Sequence, residues 1–329
     1  MSGASEQPGI SVVIPVFNSA AGISALLERL ESVLTGLGQP FEVVLVDDSS
    51  EDTSWEAIVR CAEARPWLRG FRLMRNYGQH NALLCGIRVA RYAICVTLDD
   101  DLQNPPEEIP ALLSRLAEGY DLVYGVPVSV RHARGHRLAS AMLKLALAMA
   151  LGAKTARDVS PQRAFRTRLR RAFADVRTPW VILDILLTWA TTRIATVPVR
   201  HDRRPYGRTT YTFRRRFVQA LDLITGFSTL PLKIASVVGF VFTLFGFGVL
   251  CYVIVIYFLY GGIPGFPFLA STIAIFSGAQ LFALGVVGEY LARMFQRIMD
   301  RPTYTVGDTT ERQGDAETQQ RAVRAPTIP

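Results

Sequence analysis

Charge is scarce in this chain. Of 329 residues only 19% are Asp, Glu, Lys or Arg, half are hydrophobic, and the mean hydropathy is +0.22. Such a balance excludes a disordered polymer and fits poorly with a chain wholly dissolved in water. Cysteine is scarce too. Cys61, Cys85, Cys95 and Cys251 have no CxxC spacing, and the first three lie in apolar stretches. This argues against a disulfide framework or a zinc site and fits a reducing compartment. No GxGxxG or GxxxxGK[ST] follows the first apolar strand, so dinucleotide-binding and P-loop readings fail. Neither a G-x-S-x-G elbow nor HExxH occurs. His80, His132, His136 and His201 have no ligand spacing. Acid is in deficit: the net charge is +8 and the pI about 9.6, which points to lipid headgroups, phosphates or nucleic acid as partners.

What is present is unevenly spread. Ile234 to Tyr260 is uncharged over 27 residues, and a second uncharged stretch runs from Gly261 to Gly288. As a helix, the first reaches about 40 Å, more than the ~30 Å hydrocarbon core of a bilayer. Gly261-Gly262-Ile263-Pro264-Gly265 between them reads as a tight turn. Arginine flanks both outer ends: Arg200, Arg203, Arg204, Arg208, Arg214, Arg215 and Arg216 before, Arg293, Arg297 and Arg301 after; the turn has neither lysine nor arginine. The positive-inside rule then puts both termini in the cytoplasm, with a multi-pass anchor in the inner membrane. The polar start MSGASEQPG is not expected to be a cleavable signal. Spans beside this much arginine also make nucleic acid an improbable partner.

The first 130 residues alternate two periodicities. ISVVIPVF, FEVVLV, FRLM, AICVTL and DLVYGV are β-branched, apolar runs. Between them Ile23, Leu26, Leu27, Leu30, Val33 and Leu34 recur at helical spacing, as do Trp55, Ile58, Val59 and Ala62. Alternation of this kind predicts an α/β, doubly wound, mostly parallel sheet. Two further stretches, Arg137–Gly152 and Phe213–Lys233, are amphipathic and read as helices at a membrane surface; a buried core helix remains an alternative for the first. The expected plan is a catalytic domain over 1–212, a juxtamembrane helix over 213–233, a two-span hairpin over 234–292 and a cytoplasmic segment over 293–329, unstructured from about 307.

Ligands of such sheets bind beyond the carboxyl ends of the strands. Those ends carry Pro15-Val16-Phe17-Asn18, Asp47-Asp48-Ser49-Ser50, Arg75 to Asn81, and Asp99-Asp100-Asp101-Leu102-Gln103. Asp99 and Asp101, two apart as the chain leaves a strand, can share a face, and like charges there call for a cation or for solvent. Oxygen donors would select Mg2+ or Mn2+. A solvated acidic turn capping the next helix is the plainer alternative.

Taken together, VVIPVFN, VDDSSEDTS, RNYGQHNALLCGI, LDDDLQNPPE, VSPQRAFRTRL and HDRRPYGRTTYTF, followed by a hairpin ending GEYLARMFQRIMDRPTY, resemble the family 2 glycosyltransferases of GT-A fold. The likeness is strongest to the polyprenyl-phosphate glycosyltransferases, such as dolichyl-phosphate mannose synthases, bactoprenol glucosyltransferases and undecaprenyl-phosphate aminoarabinose transferases. The resemblance implies that Pro15, Phe17, Asn18, Asp47, Asp48, Asn76, Gly78, Asp99 and Asp100 bind a nucleotide sugar, with UDP the expected nucleotide. It implies a divalent ion on Asp101 and Gln103, and phosphate contacts from Arg163 and Arg204. Departures occur: Thr210 stands where the family has lysine, so Arg208 could take that phosphate contact; the family's arginine after the fifth strand is absent, so Arg131 or Arg134 could serve instead; and Gln162 replaces an aromatic.

The implied reaction is in-line attack of a lipid phosphate on the anomeric carbon, inverting it. A sugar hydroxyl acceptor would need a general base; a phosphate monoester, mostly dianionic at pH 7, does not. Asp158 is the reserve base, or simply a structural cap. Transfer to another lipid or glycan, and an inactive membrane scaffold, are the alternative functions. Oligomers are common in the family, and small residues in the spans would allow close helix packing.

Overall fold

A computed structural model describes residues 7–128, 159–178, 181–202, 230–260, 265–299 and 301–311. These fall into two compact units; the second holds the two long apolar helices and the first holds everything else.

The first unit is built on one eight-stranded sheet. Its strands are β1 (Gln7–Val16), β2 (Phe41–Asp47), β3 (Leu68–Leu73), β4 (Tyr92–Thr97), β5 (Leu122–Pro127), β6 (Arg163–Arg166), β7 (Ile194–Val199) and β8 (Val306–Thr309), in spatial order β7-β5-β6-β4-β1-β2-β3-β8. β1 pairs in parallel with β2 and β4, β2 with β3, and β5 with β7. β6 runs antiparallel between β4 and β5, and β8 antiparallel on β3. Six strands therefore point one way, and the α/β, mostly parallel architecture expected from the sequence is the one observed.

Helices α1 (Ile23–Gly36), α2 (Ser54–Ala64), α3 (Gln79–Val89), α4 (Ile109–Ala117) and α5 (Leu183–Ala190) cover the sheet. Alternate residues of β1 serve two cores. Val12, Ile14 and Val16 pack with Leu26, Leu27, Leu30 and Leu34 of α1 and Leu112 of α4. Val13 packs with Leu83, Leu84 and Ile87 of α3 and Leu183 and Leu187 of α5. Burial on both faces is why β1 and β2 read as unbroken apolar runs rather than as alternation. Each fully buried aliphatic side chain contributes about 1.5–3 kcal/mol. α3 lies so close to the sheet that a β-carbon on Gly86 would collide with Val13 and stand 3.2 Å from Val46.

Three strands escape the hydrophobic pattern. RAFR and VGDT are four residues long and polar at half their positions, and IATVPV carries a proline, which an edge strand tolerates. β8 corrects one expectation outright. The tail from Gly307 was expected to lack structure, yet its first residues add a strand to β3. Thr310 then exchanges hydrogen bonds with Gly70 (2.8 and 3.0 Å), and Glu311 pairs with Arg69 at 2.6 Å and Arg91 at 3.0 Å. Polar sequence forms a strand here because its partners are an open sheet edge and two arginines.

In the second unit, α6 (Leu230–Tyr260) and α7 (Phe266–Ile298) are both long and apolar enough to cross a membrane. α6 takes in Leu230–Lys233, which the sequence assigned to the preceding helix. Phe276 of α7 meets Phe242 and Phe245 of α6 with ring centroids 5.8 and 6.4 Å apart, and its ring fills the space above Gly246. Large apolar side chains, Phe247, Phe258 and Leu281 among them, otherwise point outward, a surface that lipid tolerates and water does not. The amphipathic stretch at 137–152 and most of that at 213–233 lie outside the described residues.

Candidate active site

Register carries the strand ends to one level. Val16 of β1 sits beside Asp47 of β2, and Asp47 beside Arg72 of β3. β4 stops at Thr97, opposite Val13, and Asp100, three residues on, reaches the Phe17 amide at the end of β1. Because β6 is antiparallel, its first residue, Arg163, lies at this same rim beside Thr97. β7 also ends here, and the Asp202 amide donates to the carbonyl of Gln103 at 2.9 Å. The acidic loop after β4 and the base of the arginine-rich segment after β7 therefore touch.

Backbone strain marks the same rim. Among the described residues, three that are not glycine have positive φ: Asn18 (53°), Ser49 (59°) and Leu102 (60°), one each after β1, β2 and β4. Left-handed backbone in L-residues costs about 1–2 kcal/mol each and persists only where surroundings enforce it. Here the loops brace one another. The Asn18 amide donates to Ser50 Oγ at 2.9 Å, and Asn18 Oδ1 accepts from the Glu51 amide at 2.8 Å.

Asp48 is the keystone of the loop after β3. One carboxylate oxygen accepts from the Tyr77 amide at 2.7 Å and the other from the Gly78 amide at 2.8 Å. Gly78, at φ 92°, adopts a conformation that a side chain would strain. Burial, opposed by these two hydrogen bonds, pushes the Asp48 carboxyl up to about 6. Asp47 is buried beneath it, accepts from the Ser50 amide and hydroxyl, and faces Arg72 Nε at 3.4 Å; burial raises its pKa despite these partners. Pro15 is buried, Phe17 and Asn76 are exposed, and Arg75 lies over the Tyr77 ring at 4.6 Å.

The three aspartates after β4 diverge. Asp99 accepts from Gln79 Nε2 of α3 at 2.7 Å, Asp100 from the Phe17 amide at 3.3 Å, and Asp101 from the Gln103 amide at 3.1 Å. Asp99 and Asp100 thus tie the loop to α3 and to the end of β1, Asp101 braces the loop on itself, and Leu102, buried and left-handed, fixes the step from Asp101 to Gln103.

Arg163 is placed otherwise than expected. It is 2% exposed and its guanidinium pairs with Asp184 of α5, while its Nε donates to Thr97 Oγ1 at 2.9 Å. Tyr124 donates to the same Asp184 oxygen at 3.1 Å. His80 stands nearby, its pKa lowered by burial, with Nδ1 accepting from the Leu183 amide at 3.4 Å. The cation expected to face phosphate is thus charge-paired with Asp184 inside the fold. Asp184 escaped the sequence reading, although a lone acid inside the apolar run VILDILL is itself a sign of a buried partner. Arg131, Asp158, Arg204 and Arg208 lie outside the described residues.

Comparison with known proteins agrees with this picture. The profile of Glycosyl transferase family 2 matches residues 11–176. An undecaprenyl-phosphate 4-deoxy-4-formamido-L-arabinose transferase of Pseudomonas paraeruginosa is 36% identical over 301 residues, 90% of this chain and 89% of that protein. The like-named protein of Yersinia enterocolitica is 33% identical over 310 residues, 93% and 95% of the two chains. Among solved structures, glucosyl-3-phosphoglycerate synthase of Mycobacterium tuberculosis, in complex with Mn2+, UDP and phosphoglyceric acid, superposes with a TM-score of 0.51 at 20% identity, covering 66% of this chain and 76% of that one; the likeness is one of fold.

Proposed function

Since the chain belongs to glycosyl transferase family 2 and is a glycosyltransferase, we propose that it moves one sugar from a UDP sugar to undecaprenyl phosphate at the cytoplasmic face of the membrane, inverting the anomeric carbon. The observation that carries this reading is the 2.9 Å hydrogen bond from Asp202 to Gln103. It joins the carboxylate loop suited to a diphosphate and its counter-ion to the segment that continues into Arg203, Arg204 and Arg208. The apolar pair α6 and α7 supports a membrane acceptor, and the relatives named above act on undecaprenyl phosphate by name.

The donor set fits a hard divalent ion. Asp101 and Gln103 offer a carboxylate and an amide oxygen on either side of the strained Leu102. Among the described residues no three His, Cys, Asp or Glu side chains form a ready-made cage, so an ion here would share its coordination with the diphosphate. When bound, Mg2+ or Mn2+ would supply charge to the departing nucleoside diphosphate. The chain's own residues do the rest. Asp48 fixes the Tyr77–Gly78 loop against the nucleoside, Phe17 offers an exposed ring beside it, and Arg204, aided by Arg208 or Arg131, holds the acceptor phosphate. That phosphate is already dianionic at neutral pH, with a second pKa of about 6, so no side chain need remove a proton and Asp158 is left a structural part.

The test uses purified full-length protein in detergent with undecaprenyl phosphate, Mn2+ and a panel of labelled nucleotide sugars. Label in a lipid released by mild acid is the expected product. Label on a diacylglycerol or a glycan instead would refute the acceptor, and no transfer together with no nucleotide binding would refute the activity.

A further inference from the structure

After the second apolar helix the chain comes back to the first unit, and residues 303–305, well beyond the family match, bind the stem before one rim loop and the helix that follows it. Thr305 accepts the Met74 amide at 2.9 Å, just before the loop begins at Arg75. Tyr304 packs on α3, into which the loop leads: it lies against the core cluster that contains the buried Cys85, and its ring lies 5.6 Å from the Arg88 guanidinium, within cation–π range. Thr303 Oγ1 accepts from Arg88 at 3.3 Å. At its far end the loop hangs on Asp48 through Tyr77 and Gly78. There Asn81 of α3 also holds it, donating from its side chain to the Tyr77 carbonyl at 2.7 Å, whereas the first half of the connection, with exposed Arg75 and Asn76, has the returning segment at its stem.

We propose that Thr303–Thr305 is a positioning element for the nucleotide donor, with Tyr304 its principal residue, so that donor affinity depends on chain lying beyond the apolar helices. This rests on the rim being the donor site. Tyr304 touches no reacting atom; it acts by limiting the conformations of the 75–78 loop, so its removal should weaken donor binding while leaving the chemical step largely intact.

The experiment compares full-length wild type with Tyr304→Ala, Tyr304→Phe and Glu311→Ala in detergent. It reads three things: backbone hydrogen exchange over residues 74–80 without nucleotide, UDP affinity by calorimetry, and donor KM against kcat. Glu311 serves as the control because it binds Arg69 and Arg91 at the opposite end of the strand, away from the loop. Tyr304→Ala should speed exchange at 75–79 and raise both the UDP Kd and the donor KM about tenfold, with kcat and acceptor KM within about twofold. Tyr304→Phe, which keeps the ring over Arg88, should fall between. Glu311→Ala should lower Tm yet leave loop exchange and UDP affinity within about twofold of wild type.

A folded Tyr304→Ala with wild-type exchange and affinity would overturn the proposal. So would a Glu311→Ala that loosens the loop equally, since the strand would then act only through general stability. If wild type binds no nucleotide, the donor-site reading falls, and the exchange data still decide whether residues 303–305 hold the loop.

Discussion

Asp184→Asn separates the two roles open to Arg163. The asparagine keeps an oxygen for the Tyr124 hydroxyl but removes the charge facing a guanidinium that is 2% exposed. Breaking one side of a buried pair costs about 3–5 kcal/mol, because the remaining charge is left uncompensated. With a urea slope of about 2–3 kcal/mol/M for a unit of this size, the midpoint should drop by about 1–2.5 M. Adding Arg163→Met removes the orphaned charge, so the double variant should recover much of the loss, with a coupling of about 2–3 kcal/mol. Urea titrations of the four proteins in one detergent, followed by tryptophan fluorescence, supply the cycle. The same samples are then assayed for transfer. If Arg163 is a brace, the restabilised double variant keeps donor KM and kcat within about fivefold. A single variant whose midpoint stays within about 0.3 M of wild type, or a stable double variant without activity, would show that Arg163 serves the substrate and that the reasoning is wrong.

Other consequences can be checked in turn. Gly86→Ala drives a methyl into Val13 and toward Val46; it should destabilise by about 1–3 kcal/mol, readable as a lower urea midpoint with unchanged UDP affinity. Asp48 has a folded-state pKa of about 6 against an ordinary value of 3.8, so the folded state takes up its proton first as the pH falls. Nucleotide affinity should therefore decline as pH drops through about 6, while the stability that this buried carboxylate costs above about pH 6 is recovered progressively as the pH falls from about 6 to 3.8. Asp48→Asn should flatten that part of the affinity profile, and a profile unchanged by the substitution would remove Asp48 from the donor site. Asp101→Ala should abolish the strengthening of UDP binding by Mn2+; calorimetry showing the same Mn2+ response as wild type would refute the assignment of the ion.

Much of this was legible in the residues, for a physical reason. Strands buried on both faces, such as ISVVIPVF and FEVVLV, must be apolar throughout, and helices such as α1 must show their spacing of three and four. The rim was legible because chemistry-bearing residues follow directly on strands in an open parallel sheet. What stayed hidden depends on partners far away in sequence. RAFR becomes a strand only because Ala164 and Phe165 face Val96 and Cys95, and VGDT only because β3 presents an edge. The resemblance alone gave Arg163 a phosphate contact; nothing local says that Asp184, 21 residues on, pairs with it. The positive φ of Ser49 and Leu102 was equally hidden, since neither residue type favours that conformation.

Connectivity within the first unit bears on the acceptor. β7 leads out toward the apolar helices at its carboxyl end, which is the rim. β8, by which the chain returns, starts opposite Leu73, the rim end of β3. These are the two edge strands of the sheet, separated by seven interstrand steps, about 34 Å. An antiparallel β8 is therefore more than a patch on an open edge. Had the last strand joined β3 in parallel, the returning chain would have had to reach the far end of the sheet first. As built, both covalent connections to the apolar helices leave from the side that carries the aspartate loop, the Asp48-bound loop and Asp202. The acceptor proposed above is a phosphate borne by a lipid, and every degree of freedom removed between rim and headgroup would lower the entropy lost in aligning them.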